Sequence, residues 1–185
     1  MTATSNALVT GPPGSGKTTA LERSIERLRE DGYAVGGLSC PERRRNGERV
    51  GFEIVDVASG DRAVMAHVDY DQGPRVGSYR VDVSAVDRLS RRALSTATDA
   101  VDCLVIDEIA PMQLESDRFV RETRRALESA TPVLAAIKHG STDGFCEAVR
   151  NRADTELFAV EPGTRDALPG TLAAWVESRF RSQSR

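Results

Sequence analysis

Lysine is almost missing from this chain: of its 25 basic residues only Lys17 and Lys138 are lysines, and the other 23 are arginines. A genome bias toward arginine codons accounts for the excess, so the two surviving lysines are the positions to explain. An excess of positive charge is missing too. The net charge is −3 and the isoelectric point lies near 5.5, which removes the cationic field that nucleic-acid binders use to displace counterions, so nucleic acid is not an expected partner. No apolar run approaches the roughly 18 residues that cross a bilayer, and "MTATSNALVT" at the N-terminus carries neither a charged leader nor a long apolar core. These absences predict a cytoplasmic protein with no membrane partner. Cysteine is sparse: Cys40, Cys103 and Cys146 are odd in number, far apart, and without C-x-x-C or histidine pairing, which predicts reduced thiols filling a fold rather than a disulfide or metal framework.

What is present fits one domain over residues 1–185, with 39% hydrophobic content to build a core. Helix-like and strand-like segments alternate. Leu21, Ile25 and Leu28 recur at helical spacing and Gly32 follows as a stop. The segment 33–39 reads as a strand. Alternating apolar residues on both sides of Ser59-Gly60-Asp61 read as a β-hairpin, and 73–83 as a further extended piece, together an antiparallel insert over about 41–83. Ser84 with Asp87 three residues on predicts a capped helix carrying Val86, Leu89, Ala93 and Leu94. "VDCLVIDEIA" (101–110) is a near-continuous apolar run ending in two carboxylates, the pattern of a buried parallel strand. A helix with Phe119, Val120 and Leu127, a strand at 132–139, a short helix around Phe145 and Val149, a strand at 156–160 and a helix with Leu172, Trp175 and Val176 complete the chain. Such alternation predicts an α/β fold, a mostly parallel sheet covered on both faces.

The segment "GPPGSGKTT" (11–19) matches G-x-x-x-x-G-K-[ST] at Gly11, Gly16, Lys17 and Thr18. A phosphate needs inward-pointing main-chain N–H groups, and Gly11, Gly14 and Gly16 allow backbone approach that a side chain would block. Pro12 and Pro13 offer no N–H. The cradle therefore falls to Gly14, Ser15, Gly16, Lys17, Thr18 and Thr19, at the positive end of the following helix. Lys17 brings a compact charge to the β- and γ-phosphates where a planar guanidinium would crowd, and Thr18 a hydroxyl for Mg²⁺. The competing interpretation is a glycine turn that caps a helix. A chance match in a chain of this composition comes to roughly two in a thousand, before the flanking strand and helix are required.

Asp107 closes the run Leu104-Val105-Ile106 in the position of a Walker B aspartate that orients Mg²⁺, and Glu108 follows where a carboxylate can activate a water for attack on the γ-phosphate. Strand ends also carry Asp or Glu as solvated boundaries; the loop upstream is what favours the functional reading. Phosphoryl transfer asks for further positive charge. Arg44, Arg49, Arg75 and Arg165 are candidates in loops or strand ends, each with a surface ion pair as the alternative. Lys138 and His139 end the strand after the Asp-Glu strand, where they sense the γ-phosphate or merely face solvent.

With "GPPGSGKTT", "PERRRNGERVGF" (41–52), "RVGSYRVDV" (75–83), "VIDEIAPMQL" (105–114) and "TRDALP" (164–169) together, the chain resembles the small P-loop nucleoside-triphosphatases of archaea, bacteria and animals, the family of the human cancer-related nucleoside-triphosphatase. The resemblance spans nearly the whole chain. It implies a three-layer P-loop NTPase of the RecA-like (ASCE) kind, in which the Asp-Glu strand is not adjacent to the phosphate-loop strand. It also implies Mg²⁺-dependent hydrolysis of ATP, GTP and other nucleoside triphosphates. Lys17 and Thr18, and Asp107 with Glu108, match the family's two motifs; Arg44 and Arg75 match arginines of its second and third segments, and Arg165 that of the last. Three positions depart: Ala110 stands for a usual glycine, Gln113 for a usual glutamate and Thr164 for a usual asparagine. The last bears on the contact to the base edge, the first two on the loop after Glu108. A kinase acting on a small hydroxyl or RNA end, and a nucleotide-gated binding module using the arginine-rich hairpin, remain alternatives.

Overall fold

A computed structural model describes residues 5–95, 100–140 and 144–183. The chain opens with β1 (Asn6–Thr10), runs through a glycine-rich loop into α1 (Lys17–Glu30), and returns as β2 (Val35–Ser39). Short strands follow: β3 (Glu42–Arg45), β4 (Glu48–Asp56), β5 (Arg62–His67), β6 (Arg75–Val76) and β7 (Tyr79–Val81). The second half alternates α2 (Val83–Ser95), β8 (Cys103–Ile109), α3 (Pro111–Leu114), α4 (Asp117–Glu128), β9 (Val133–Ile137), α5 (Gly144–Arg150), β10 (Thr155–Ala159) and α6 (Leu168–Gln183).

All ten strands join one sheet in the order β10-β1-β9-β8-β2-β4-β5-β7-β6, with β3 paired to β4. From β10 to β2 every pairing is parallel; from β2 onward every pairing is antiparallel. β9 lies between β1 and β8, so the Asp-Glu strand is separated from the loop strand by one position, as the resemblance implies. The predicted insert is not a layer of its own. It continues the same sheet past β2, and the hairpin around Ser59-Gly60-Asp61 is the β4–β5 pair.

Period-two alternation builds the three layers. Leu8, Leu104, Ile106, Val133, Ala135 and Ile137 point to the face covered by α2, α4 and α5, where Leu89, Phe119 and Val149 meet them. Ala7, Val9, Cys103, Val105, Leu134 and Ala136 point to the other face, against Leu21, Leu28, Leu172 and Val176 of α1 and α6. Burial on both sides is why these strands read as unbroken apolar runs. Gly37 in β2 is required by the close approach of β8: at φ +112° a Cβ there would lie 2.0 Å from the Val105 carbonyl oxygen.

Two local readings are corrected. The carboxylate that caps α2 is Asp82, which accepts from the Ala85 N–H at 3.0 Å. Ser84 is exposed, and Asp87 instead accepts from the Ser116 hydroxyl, tying α2 to the residue that caps α4. The single turn α3, opened by Pro111 at its first position, carries too few residues to show a helical period. Among the described residues no helix is long and apolar enough to cross a membrane.

Candidate active site

Parallel strands aim their C-terminal ends at one edge of the sheet, and the turns leaving β1, β8 and β9 meet there. The loop from Gly11 to Gly16 wraps the start of α1. Gly16, with φ 104°, is the last residue before the helix, a left-handed conformation that an L side chain resists. No side chain among the described residues caps α1, and its first turn holds no acidic residue. The main-chain donors of that turn, at the positive end of the helix, are left for an anion. Lys17 folds back so that its ammonium donates to the carbonyls of Gly11 at 2.8 Å and Pro12 at 3.3 Å. The Ser15 hydroxyl oxygen is buried in the loop without a partner among the described residues.

Asp107, only 5% exposed, faces this loop from β8. Its carboxyl is pushed up to about 7, chiefly by burial; the hydrogen bond from Thr18 and the Lys17 charge pull it back, while Glu108 and Glu22 push further. One of its oxygens, Oδ2, is buried with no partner among the described residues. Glu108 is also raised by burial, against the pull of Lys17 and Lys138. Both carboxylates therefore share Lys17 as a neighbouring charge. The ladder from β8 to β9 slips between Ile106 and Ile109, so the two carboxylates sit on a bulge rather than on regular pleat.

The other predicted residues divide. Lys138 follows β9 directly; its N–H donates to the Ile109 carbonyl at 3.2 Å, and its charge acts on Glu108. His139 is exposed beside it. Arg165 lies in the exposed turn after β10, next to the loop strand, since β10 pairs with β1. Arg44 is on β3, which runs on from the end of β2, because β4 pairs with β3 over 48–52 and with β2 at Val55 and Asp56. That places it three strand positions from β1, roughly 14 Å sideways at about 4.8 Å per strand. Its guanidinium is taken by Glu42, at 2.8 and 3.1 Å, and by the Gly47 carbonyl. Arg49 donates to Glu42 and the Tyr79 hydroxyl. Arg75, on β6 at the far end of the sheet, is not brought to the loop.

Two site neighbours escaped the sequence reading. Cys40, taken as a filler, has its sulfur desolvated enough to push the thiol up to about 12, with Asp107 and Glu108 adding to the effect. Gln113, noted only as a departure, is 3% exposed and pulls that thiol back down. The available signal was position: Cys40 leaves β2 at the same edge of the sheet.

Among the described residues no three His, Cys, Asp or Glu side chains gather into a metal site. The Thr18 hydroxyl and the unpaired Asp107 oxygen are a hard oxygen set that suits Mg²⁺, which takes few protein ligands and completes its octahedron with waters and phosphate oxygens.

A family model described as NTPase matches residues 6–173. The chain belongs to this NTPase family. Within it, the chain is 42% identical over 161 residues to the nucleoside-triphosphatase THEP1 of Methanothermobacter thermautotrophicus, covering 87% of this chain and 90% of that protein. It is 38% identical over 179 residues to the THEP1 of Methanopyrus kandleri, covering 94% and 98%. The solution structure of a human cancer-related nucleoside triphosphatase superposes with a TM-score of 0.79 at 32% identity, over 94% of this chain and 97% of that one. The crystal structure of THEP1 from the hyperthermophile Aquifex aeolicus gives 0.80 at 26% identity, over 93% and 99%. The fold and family implied by the quoted segments are those found.

Proposed function

We propose that the chain is a Mg²⁺-dependent nucleoside-triphosphatase that hydrolyses ATP, GTP and other nucleoside triphosphates to the diphosphate and phosphate. The observation that carries this reading is the convergence on one sheet edge of a helix start with no side-chain cap among the described residues, Lys17, an Asp107 that Thr18 acts on and whose Oδ2 has no partner among the described residues, and Glu108 between two lysine charges. The names of the relatives support the reaction class. The single sheet of ten strands supports reading the chain as one nucleotide-binding domain.

In this reading Gly11 to Thr19 wrap the phosphate tail, with Lys17 exchanging its loop carbonyls for β- and γ-oxygens. Thr18 and Asp107 hold the metal, which supplies charge neutralisation on the phosphate oxygens. Glu108 takes a proton from a water whose oxygen attacks the γ-phosphorus. The bond to the bridging oxygen breaks, and its electron pair leaves with the diphosphate. Burial, by raising the Glu108 carboxyl, moves a weak base toward the working pH. Lys138 lies on the γ-phosphate side and Arg165 on the flank of the loop, toward the nucleoside. Arg44 reaches the nucleotide only after releasing Glu42, and Arg75 only after a larger movement of the antiparallel strands.

Phosphate release by the purified chain, with and without Mg²⁺, tests the reaction. Glu108→Gln should lower turnover by roughly 10²-fold or more with nucleotide affinity kept. Lys17→Ala should weaken ATP binding by roughly 10- to 100-fold, and an unchanged dissociation constant contradicts the phosphate cradle. Phosphate transferred to an added nucleoside or oligonucleotide instead of water assigns a kinase.

A further inference from the structure

Helix α5 closes on the ends of β8 and β9, where Glu108 and Lys138 sit. Two of its side chains do so, and both reach main-chain carbonyls. The thiol of Cys146 contacts the carbonyl oxygen of Ile109, the residue after Glu108, at 3.8 Å. One turn on, the Arg150 guanidinium donates to the carbonyl oxygen of Lys138 at 2.6 Å. Residues four apart share a helix face, so one face of α5 serves both strand ends. Side chains on a helix lean toward its N-terminus, which lets an arginine at the last position of α5 reach back to the strand that the helix follows. The Lys138 N–H donates in turn to that same Ile109 carbonyl, at 3.2 Å. The main chain at Lys138 is therefore held on both sides, by the end of β8 and by α5.

Fastening α5 to the sheet does not need the arginine. Cys146 and Val149 already bury this helix in the core, and the Lys138 carbonyl belongs to an exposed residue, where water would satisfy it. What the bond fixes is the root of the Lys138 side chain. An ammonium on a flexible four-carbon stem has no rigid fork of its own, so its placement depends on the main chain that carries it. A misplacement of about 1 Å at a reacting centre costs on the order of 10²-fold in rate. We propose that Arg150 is a positioning residue for hydrolysis: by holding the main chain at Lys138, it sets where the Lys138 ammonium stands relative to Glu108 and the γ-phosphate. The inference rests on the reading of Lys138 as a charge on the γ-phosphate side.

The test uses the full chain with Mg-ATP: kcat and KM for the wild type, Arg150→Met, Arg150→Lys, Lys138→Ala and the double variant Arg150→Met with Lys138→Ala. Methionine keeps the apolar stem and removes the donor. Arg150→Met should lower kcat by about fivefold with KM within about twofold, and Arg150→Lys, which keeps a donor, should recover most of the loss. In the double variant the Arg150 change should cost less than about twofold beyond Lys138→Ala, because the arginine acts through the lysine. A second readout needs no turnover. The chain has only two lysines, so lysine-selective isotope labelling gives two backbone amide signals in NMR. That of Lys138, identified by its loss in Lys138→Ala, should become more mobile in Arg150→Met while that of Lys17 stays as it was. Wild-type kcat in Arg150→Met overturns the inference, as do a loss confined to KM, an equal loss on the Lys138→Ala background, or an unchanged Lys138 amide. Loosening of both amides assigns Arg150 to the fold as a whole and overturns it as well. If Lys138→Ala itself turns over like the wild type, the reading of Lys138 fails and the inference with it; if Lys138→Ala is slow and Arg150→Met is not, the inference alone is wrong.

Discussion

The Thr18 hydroxyl acts on the Asp107 carboxyl, drawing its raised value back down, and so couples the first turn of α1 to the end of β8 across the intervening strand β9. Oδ2 of Asp107 has no partner among the described residues. Thr18→Ala and Asp107→Asn should therefore raise the Mg²⁺ concentration for half-maximal hydrolysis, by roughly tenfold or more, and leave the melting temperature of the nucleotide-free protein within a few degrees. A magnesium titration of phosphate release checks this; an unchanged midpoint in both variants removes the pair from the metal site.

Lys138 places a second positive charge beside Glu108, from the end of β9, the strand that lies between β8 and the loop strand β1. Its exposed position makes little contribution to folding. Replacing it by alanine should lower kcat by roughly 10-fold or more with a small change in KM, because charge that develops on the γ-phosphoryl group is met only in the transition state. Steady-state kinetics decides it: a purely KM effect would assign Lys138 to ground-state binding.

Gly37 carries the contact between β2 and β8. A methyl group there collides with the Val105 main chain at 2.0 Å and demands φ +112° of an L residue. Gly37→Ala should destabilise the protein by about 3 kcal/mol or more, seen as a shifted denaturant midpoint or a failure to express in soluble form. A neutral effect would mean that the two strands can part at that point.

Asp154 gives a pH dependence of known sign. The hydrogen bonds from Arg152, at 2.7 and 2.9 Å, hold its carboxyl below the ordinary value. A depressed folded-state value means that the contribution is complete above the unfolded carboxyl's titration and is lost as pH falls through the folded one. The comparison of wild type with Asp154→Asn should show a wild-type advantage of about 1 kcal/mol at pH 7 that closes as the pH falls through the lowered folded-state value. Arg152 also donates to the Leu127 carbonyl, so the loss should be felt where α4 ends against the start of β10.

How much of this was legible depended on whether the cause was local. The loop and the Asp-Glu pair were readable because a few adjacent residues state their own geometry: Gly16 needs its positive φ, and Leu104 to Ile106 can only be a strand buried on two faces. The capping of α2 was read two residues too late, since Ser84 and Asp82 are equally good caps by type and only the β7–α2 join selects Asp82. The extended piece over 73–83 is there as β6 and β7, but its division into two short strands paired with each other depends on the turn between them. Cys40 and Gln113 were missed for the same reason at longer range. Their meeting depends on where β2 stops and where the β8 register slips, and neither is written in the residues themselves.

The parked ammonium of Lys17 makes binding an exchange rather than an addition. Before any ligand arrives it is already held by the carbonyls of Gly11 and Pro12, so a ligand is rewarded only for what it offers beyond those two oxygens. A nucleoside monophosphate, too short to draw the lysine away, inherits the donors of the helix start and nothing else. With the loop as the proposed phosphate cradle, discrimination by tail length would begin in its resting state, ahead of any contact with the base.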